Sequence, residues 1–292
     1  YIRLMTVCIV GLGLLGGSFS LALRKEHEDV SVKGVDIDED NGRKAVELGI
    51  ADEIVSFEDG VSSNDLIVLA TPGNVLIKQI IQALDIMRPD AILTDLGSTK
   101  ETLAKVVEGH PKRKRYVAAH PMAGTENSGP EAAFASLMHN KTMIICDRGK
   151  SDSDAVERLE ELLKSFQMKI AHMNSKEHDR HIAFVSHLSH ITSFVLGATV
   201  LDKEKDERSI FAMAGSGFSS TVRLAKSSPD MWAPIFSQNK NNVLTALDAY
   251  INKLQYFKEI ITNDDEKASY ELMHHANEIR RVLRGISKHE SE

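Results

Sequence analysis

Thr6-Val7-Cys8-Ile9-Val10 is a short apolar run, and Gly11-Leu12-Gly13-Leu14-Leu15-Gly16 follows it without a break. A helical pattern starts at Gly16. A second β-branched run, Val30–Asp36, then ends on an acid 20 positions past Gly16. Strand, glycine loop, helix, strand and acid is the order that a dinucleotide requires. Gly11 permits the tight turn, Gly13 lets backbone N–H groups approach a pyrophosphate, and Gly16 lets the helix pack on the strand. The N-terminus of that helix adds partial positive charge. Asp36 is placed to accept hydrogen bonds from both ribose hydroxyls and to repel a 2′-phosphate, which favours NAD over NADP. The cofactor set read from this stretch is Gly11, Leu12, Gly13, Leu14, Leu15, Gly16 and Asp36.

Working outward, the alternation continues to about residue 174. Asp65–Ala70, Ala91–Asp95, Arg115–Ala119 and Lys141–Asp147 are further strand candidates, apolar on both faces as in a sheet covered by helices, and a strand at Lys169–Met173 completes the domain. Helical stretches such as Val75–Met87, Thr99–Val107 and Ser153–Phe166 separate them. The pattern implies βαβ units and a parallel sheet. From Ser175 the strand pattern stops. Asp179–Val200 and Asp230–Ile261 read as helices, and in the second Val243, Leu247, Tyr250, Leu254, Phe257 and Ile261 step by 4, 3, 4, 3, 4. That is a coiled-coil-like seam on a helix about 45 Å long. A last helix, Asp265–Arg284, carries Ala268, Leu272, Ala276, Ile279 and Leu283 on one stripe, with Gly285 placed to stop it. A small helical domain has too little core to bury such seams, so homodimerisation is expected. The fold class is therefore α/β. Residues 1–174 form a Rossmann-type dinucleotide-binding domain, and residues 175–292 form an all-α substrate and dimerisation domain.

Three strand ends carry polar residues where open α/β sheets bind ligands. Ala70-Thr71-Pro72 either floors the cofactor ribose or is a plain turn. In Asp95-Leu96-Gly97-Ser98-Thr99-Lys100, Ser98 or Thr99 can cap the next helix and also reach the nicotinamide. His120-Pro121-Met122-Ala123-Gly124-Thr125-Glu126 places an imidazole at a strand terminus, where a neutral ring suits proton transfer from a substrate hydroxyl.

These motifs together resemble prephenate dehydrogenases of tyrosine biosynthesis. The resemblance rests on GLGLLG, Asp36, the DLGSTK stretch (Asp95–Lys100) and the HPMAGTENSG stretch (His120–Gly129). It extends through His178-Asp179, Ser186-His187-Leu188-Ser189-His190, Gly215-Ser216-Gly217-Phe218, Arg223 and Met231-Trp232, from about residue 6 to 240. It implies an NAD-dependent oxidative decarboxylation of prephenate to 4-hydroxyphenylpyruvate. His120 would contact the 4-hydroxyl, and Ser98 would orient His120 and touch the nicotinamide. Arg223 would hold a substrate carboxylate, His190, His178 and Gly217 would line the pocket, and Glu126 would gate its mouth. Ser189 and Ser216 depart from the family pattern, which commonly has proline and glycine there. That leaves arogenate open as an alternative substrate. Nothing after residue 285 resembles a regulatory ACT-like domain.

Composition limits the other classes. The 292 residues carry 35 Lys+Arg against 42 Asp+Glu, a net charge of −7, and no basic face suited to nucleic acid. No apolar run approaches the ~20 residues of a membrane span, and no secretory leader is evident, so a cytoplasmic protein is expected. Cys8 and Cys146 lie in strand-like runs and read as buried thiols in a reducing compartment. Five of the 12 histidines fall between His172 and His190. On a regular helix His178 and His187 would point about 180° apart, so no metal is expected there. A β-hydroxyacid-type dehydrogenase is the other enzyme reading. It would look to a helical-domain lysine, rather than His120, as its acid/base.

Overall fold

A computed structural model describes residues 6–204 and 210–283. Two compact units divide the chain, Tyr1–Asn239 and Lys240–Glu292.

The first unit is built on an eight-stranded sheet. The strands are β1 (Thr6–Val10), β2 (Ser31–Val35), β3 (Glu53–Ile54), β4 (Leu66–Leu69), β5 (Ile92–Asp95), β6 (Tyr116–Pro121), β7 (Thr142–Cys146) and β8 (Lys169–Met173). They lie in the order β3-β2-β1-β4-β5-β6-β7-β8. The order reverses between β1 and β4, so their carboxyl ends flank the crevice where this fold takes its ligand. Alternate residues of β1 serve opposite cores. Val7 and Ile9 pack with Phe19, Leu23, Leu159 and Leu163. Cys8 and Val10 pack with Leu76, Ile80, Leu103 and Tyr116. Helices therefore cover both faces: α1 (Leu14–Glu26) and, after β7, α6 (Ser153–Ser165) on one side. α4 (Gly73–Ile86) and α5 (Glu101–Val107) cover the other, and the short α2 (Glu39–Glu47) and α3 (Phe57–Ser63) follow β2 and β3. Asp38 caps α2 and Ser56 caps α3.

The sheet departs from the all-parallel expectation at one place: β7 runs antiparallel to β6. The link between them holds only two single 3₁₀ turns, Pro130–Ala132 and Ala135–Leu137, and no helix that could carry the chain back across the sheet. The chain therefore returns beside β6, and α6 then restores a parallel pair with β8. Cys8 and Cys146 are both free and buried, and burial pushes each thiol up to about 12.

After β8 the first unit continues in helices: α7 (Ser175–Ile182), one π-helical turn (Ala183–His187), α8 (Leu188–Glu204), α9 (Ser216–Thr221) and α10 (Pro229–Gln238). Ser175–Lys203 contains an 18-residue window of mean hydropathy 1.4 that is 11% buried. By length and composition this helix could cross a membrane, which corrects the expectation that no run approaches that length. Val185, Val195 and Leu201 stand exposed along it.

The second unit holds α11 (Lys240–Thr262) and α12 (Glu266–Ala276), the latter capped by Asp265. The single long helix expected over Asp230–Ile261 is two helices. Asn239 leaves helical geometry at φ −103°, ψ 27°, and α11 alone is about 35 Å long. On the predicted seams Val243 is buried, whereas Leu254, Ile261, Ile279 and Leu283 are exposed. Arg284 and Gly285, the predicted end of the last helix, lie outside the described residues.

Candidate active site

Each glycine of the first loop does a separate task. Gly11 has φ +91°, and a Cβ there would lie 2.8 Å from the Ala70 carbonyl oxygen. A Cβ on Gly16 would lie 1.9 Å from the Gly11 carbonyl oxygen, so α1 could not pack as it does. Gly13 faces open space, its nearest neighbour being the Gly129 nitrogen at 4.0 Å from a notional Cβ. It begins α1 as N-cap, and no side chain caps that end. Free N–H groups beside an unobstructed glycine fit a pyrophosphate. Leu12 is buried in the core, while Leu14 and Leu15 are half-buried in the first turn. Asp36 follows β2, its Oδ2 accepting from Leu12 N at 2.9 Å and its Oδ1 from Asp38 N at 3.0 Å. Across the crevice Ala70 backs Gly11, Thr71 Oγ1 donates to Gln79, and Pro72 precedes the first turn of α4.

His120, on β6, joins a chain of buried polar groups. Its Nδ1 lies 2.8 Å from His178 Nε2, and His178 Nδ1 lies 2.8 Å from Asp179 Oδ1. A carboxylate only accepts, so His178 carries its hydrogen on Nδ1 and its Nε2 accepts from His120 Nδ1–H. That fixes the His120 tautomer and leaves its Nε2 as a free acceptor. Burial, aided by His178, Lys100 and His187, holds the His120 pKa well below its usual 6.5. His120 is neutral at pH 7, as a proton acceptor must be.

Asp179 is more than a partner of His178. Its Oδ1 also accepts from Lys100 N at 2.8 Å and its Oδ2 from Glu101 N at 2.9 Å. The N-terminus of α5 is thus capped by a carboxylate from α7, which corrects the expectation that Ser98 or Thr99 caps it. Thr99 Oγ1 instead donates to Gln238 Oε1 at 2.6 Å. Beneath the cap, the Lys100 ammonium pairs with Asp95, and Tyr116 Oη donates to Asp95 Oδ2 at 2.6 Å. Lys100 and Asp95 are fully buried. Asn239 Nδ2 donates to the Asp179 carbonyl at 2.6 Å and lies 3.3 Å from His187 Nδ1.

The other predicted residues fall beside this chain. Ser98 is half-buried in the turn before Thr99. His120 is held at Nδ1 by His178. Arg223 Nη1 donates to Glu126 Oε2 at 3.0 Å. His190 stacks on Trp232 with ring centroids 3.5 Å apart, and its Nδ1 donates to the Ser186 carbonyl at 3.0 Å. Burial lowers the His190 pKa, the Ser186 contact raises it, and Arg223 lowers it further. Gly217 sits exposed in the first turn of α9. Sequence reading passed over Asp179, Lys100 and Asn239. Asp179 and Lys100 stand inside the quoted motifs, but the bond between them spans 79 positions. Among the described residues, no three His, Cys, Asp or Glu side chains converge to hold a metal.

Comparison with known proteins agrees with this geometry. Residues 19–172 match the family model of the prephenate dehydrogenase nucleotide-binding domain, and residues 174–275 match the prephenate dehydrogenase dimerization domain. The chain is 31% identical to prephenate dehydrogenase of Bacillus subtilis, over 94% of this chain and 75% of that protein. It is 29% identical to cyclohexadienyl dehydrogenase of Zymomonas mobilis, over 89% of each. The crystal structure of A. aeolicus prephenate dehydrogenase with hydroxyphenyl propionate and NAD+ superposes with a TM-score of 0.85. It is 32% identical and covers 98% of this chain and 99% of that one. These matches displace the β-hydroxyacid reading. With a nucleotide loop, an acid at the end of β2 and a neutral buried histidine at the crevice, the chain belongs to the prephenate dehydrogenase family of NAD-dependent oxidoreductases.

Proposed function

We propose that this chain converts prephenate to 4-hydroxyphenylpyruvate in tyrosine biosynthesis. The observation that carries the reading is the Asp179–His178–His120 chain, which leaves one neutral imidazole nitrogen free to accept a proton. Gly11 to Gly16, Asp36 and Ala70 to Pro72 would hold NAD, with Ser98 near the nicotinamide. When bound, NAD accepts the hydride from the carbon bearing the 4-hydroxyl, and CO2 leaves as the ring becomes aromatic. His120 Nε2 takes the hydroxyl proton and returns it to the phenol oxygen, so the reaction releases no net proton. Asp179, through His178, stabilises the imidazolium that His120 becomes.

Arg223 suits one substrate carboxylate, since a guanidinium fork fits a planar anion. It is now paired with Glu126, so an incoming carboxylate competes with Glu126 for it. His190, His178, Glu126 and Gly217 complete the proposed pocket. Arogenate is the second reading, supported by the similarity to a cyclohexadienyl dehydrogenase. Residues 1–174 are assigned to the cofactor and 175–292 to substrate and dimer. The exposed apolar residues of α8, α11 and α12 support a homodimer through the helical part. Free buried thiols suit a cytoplasmic location.

The test is NADH production with prephenate and arogenate offered in parallel to the purified chain. Turnover of either substrate with NAD supports the reading and decides between them. Turnover of neither, by a folded protein that binds NAD, refutes it.

A further inference from the structure

The link between β6 and β7 touches three parts of the site. It leaves β6 just after His120 and Pro121, and Glu126 near its start holds Arg223. Three residues on, Gly129 reaches the phosphate loop, its nitrogen being the nearest atom to a notional Cβ on Gly13. Gly129 has φ +85° and ψ 171°, a conformation open in practice only to glycine. Its N–H donates to no group among the described residues. Beyond it the link is fastened to α1: Phe134 N donates to Ser18 Oγ at 3.1 Å. Ala133 sits where Gly17 could carry no Cβ, which would lie 2.7 Å from the Ala133 methyl carbon. Lys44 Nζ pairs with Glu131 at 3.1 Å and ties the same segment to α2.

We infer that Gly129 is a positioning residue that couples the two halves of the site. Its backbone N–H joins those beside Gly13 on the cofactor pyrophosphate, and this contact fixes the short link to Glu126 and hence the state of Arg223. The idea rests on the assignment of NAD and prephenate above. Three residues extend at most about 10 Å, so a shift at Gly129 is passed to Glu126 with little slack. Cofactor and substrate then bind cooperatively, and by linkage the factor is the same in either order of addition. Without the pyrophosphate, Glu126 is held by its own backbone N–H and Arg223, with Lys226 nearby.

Calorimetry on the full chain tests this, using NAD, ADP-ribose and hydroxyphenyl propionate as probes. In the unaltered protein, NAD should tighten binding of hydroxyphenyl propionate about tenfold, a coupling of ordinary size. Gly129→Ala should weaken NAD and ADP-ribose alike by about tenfold, as expected for one lost bond to a charged acceptor. It should also reduce the coupling factor to near one. Ser18→Ala, which frees Phe134 N without altering Gly129, should lower the coupling with a smaller effect on NAD affinity. It keeps the idea testable should Gly129→Ala fail to fold. Gly124→Ala, in the same link but facing open space, should change neither quantity. Wild-type NAD affinity or wild-type coupling in folded Gly129→Ala overturns the inference, as does full coupling in Ser18→Ala if Gly129→Ala does not fold. An unaltered protein that binds neither NAD nor hydroxyphenyl propionate would refute the functional assignment instead.

Discussion

Replacing Asp179 by asparagine isolates the carboxylate at the end of the buried chain. Asp179 accepts three hydrogen bonds, from Lys100 N, Glu101 N and His178 Nδ1. An amide has one acceptor oxygen, so its NH2 must face a donor on one side. If the NH2 faces Glu101 N, that donor goes unpaired at about 1–3 kcal/mol of stability, and the charge behind His178 is gone. If the NH2 faces His178, it donates to Nδ1 and the tautomers reverse down the chain. His120 Nε2 then carries a hydrogen and cannot accept one. A charged bond exceeds a neutral one by about 1–2 kcal/mol, or roughly tenfold in rate. A reversed histidine tautomer costs up to ~10⁴. Asp179→Asn should therefore lower kcat by about 10²–10³ while NAD affinity stays within threefold. The pH profile adds a second readout. His120 must be neutral to act, so kcat/KM is lost as pH falls through its pKa, which lies below 6.5. Desolvation, His178, Lys100 and His187 all lower that pKa. Asp179 opposes them through His178, so removing its charge should move the acid limb to still lower pH. Initial rates of NADH formation across pH, with a thermal melt to verify folding, measure both effects. A variant within threefold of the wild-type kcat, with an unmoved acid limb, would refute the relay.

Three further outcomes follow from the same structure. His187 is buried with no partner for its Nε2 among the described residues, and burial lowers its pKa to about 4. The unfolded chain therefore binds more protons between pH 6.5 and 4, and stability should fall by about 3 kcal/mol across that window. His187→Phe should flatten this part of a melting-temperature profile, and an unchanged slope would assign acid lability elsewhere. Arg223→Ala should raise KM for prephenate by about 10–100-fold with little effect on NAD affinity, since it removes one charged fork; an unchanged KM would take Arg223 out of the pocket. Asp36→Ala should weaken NAD by about tenfold and narrow its advantage over NADP, measured as the ratio of kcat/KM values, because ribose acceptors and a repelling charge are lost together. An unaltered ratio would mean that Asp36 serves the Leu12 and Asp38 amides alone.

The local parts of this molecule were legible in its sequence. GLGLLG after an apolar run, with Asp36 closing the next strand, is legible because its elements follow one another in the chain, although Gly11 answers Ala70, 59 positions away. The central strands could be placed because burial on two sides leaves an unbroken apolar run, whereas β2 and β8 are only partly covered. β3 was missed because two exposed residues leave no such run. The reversal at β7 depends on a link without a helix, and the HPMAGTENSG stretch was read for chemistry rather than for its lack of one. The break at Asn239 was hidden because the stretch has no glycine to mark it, while the Asn239 side chain bonds the Asp179 carbonyl 60 positions away. The same limit hid the cap on α5. A serine next to a helix start is the usual signal, whereas Asp179 reaches Lys100 across 79 positions. His178 was placed in the pocket by resemblance, but its role as the link to His120 needed coordinates, because 58 residues separate them.

The π-helical turn at Ala183–His187 takes up one extra residue between two tasks on one continuous helix. His178 and Asp179 lie before it, and His190 and the exposed Val195 and Leu201 lie after it. Its wider winding carries five residues through about the angle that four α-helical residues sweep, so His190 keeps its phase relative to Asp179. Removing one residue from the turn would restore ordinary winding with His190 still facing Trp232. The same deletion within α8 would rotate everything downstream by about 100°. A one-residue deletion in Ala183–His187 should therefore be milder than one in Leu188–Glu204.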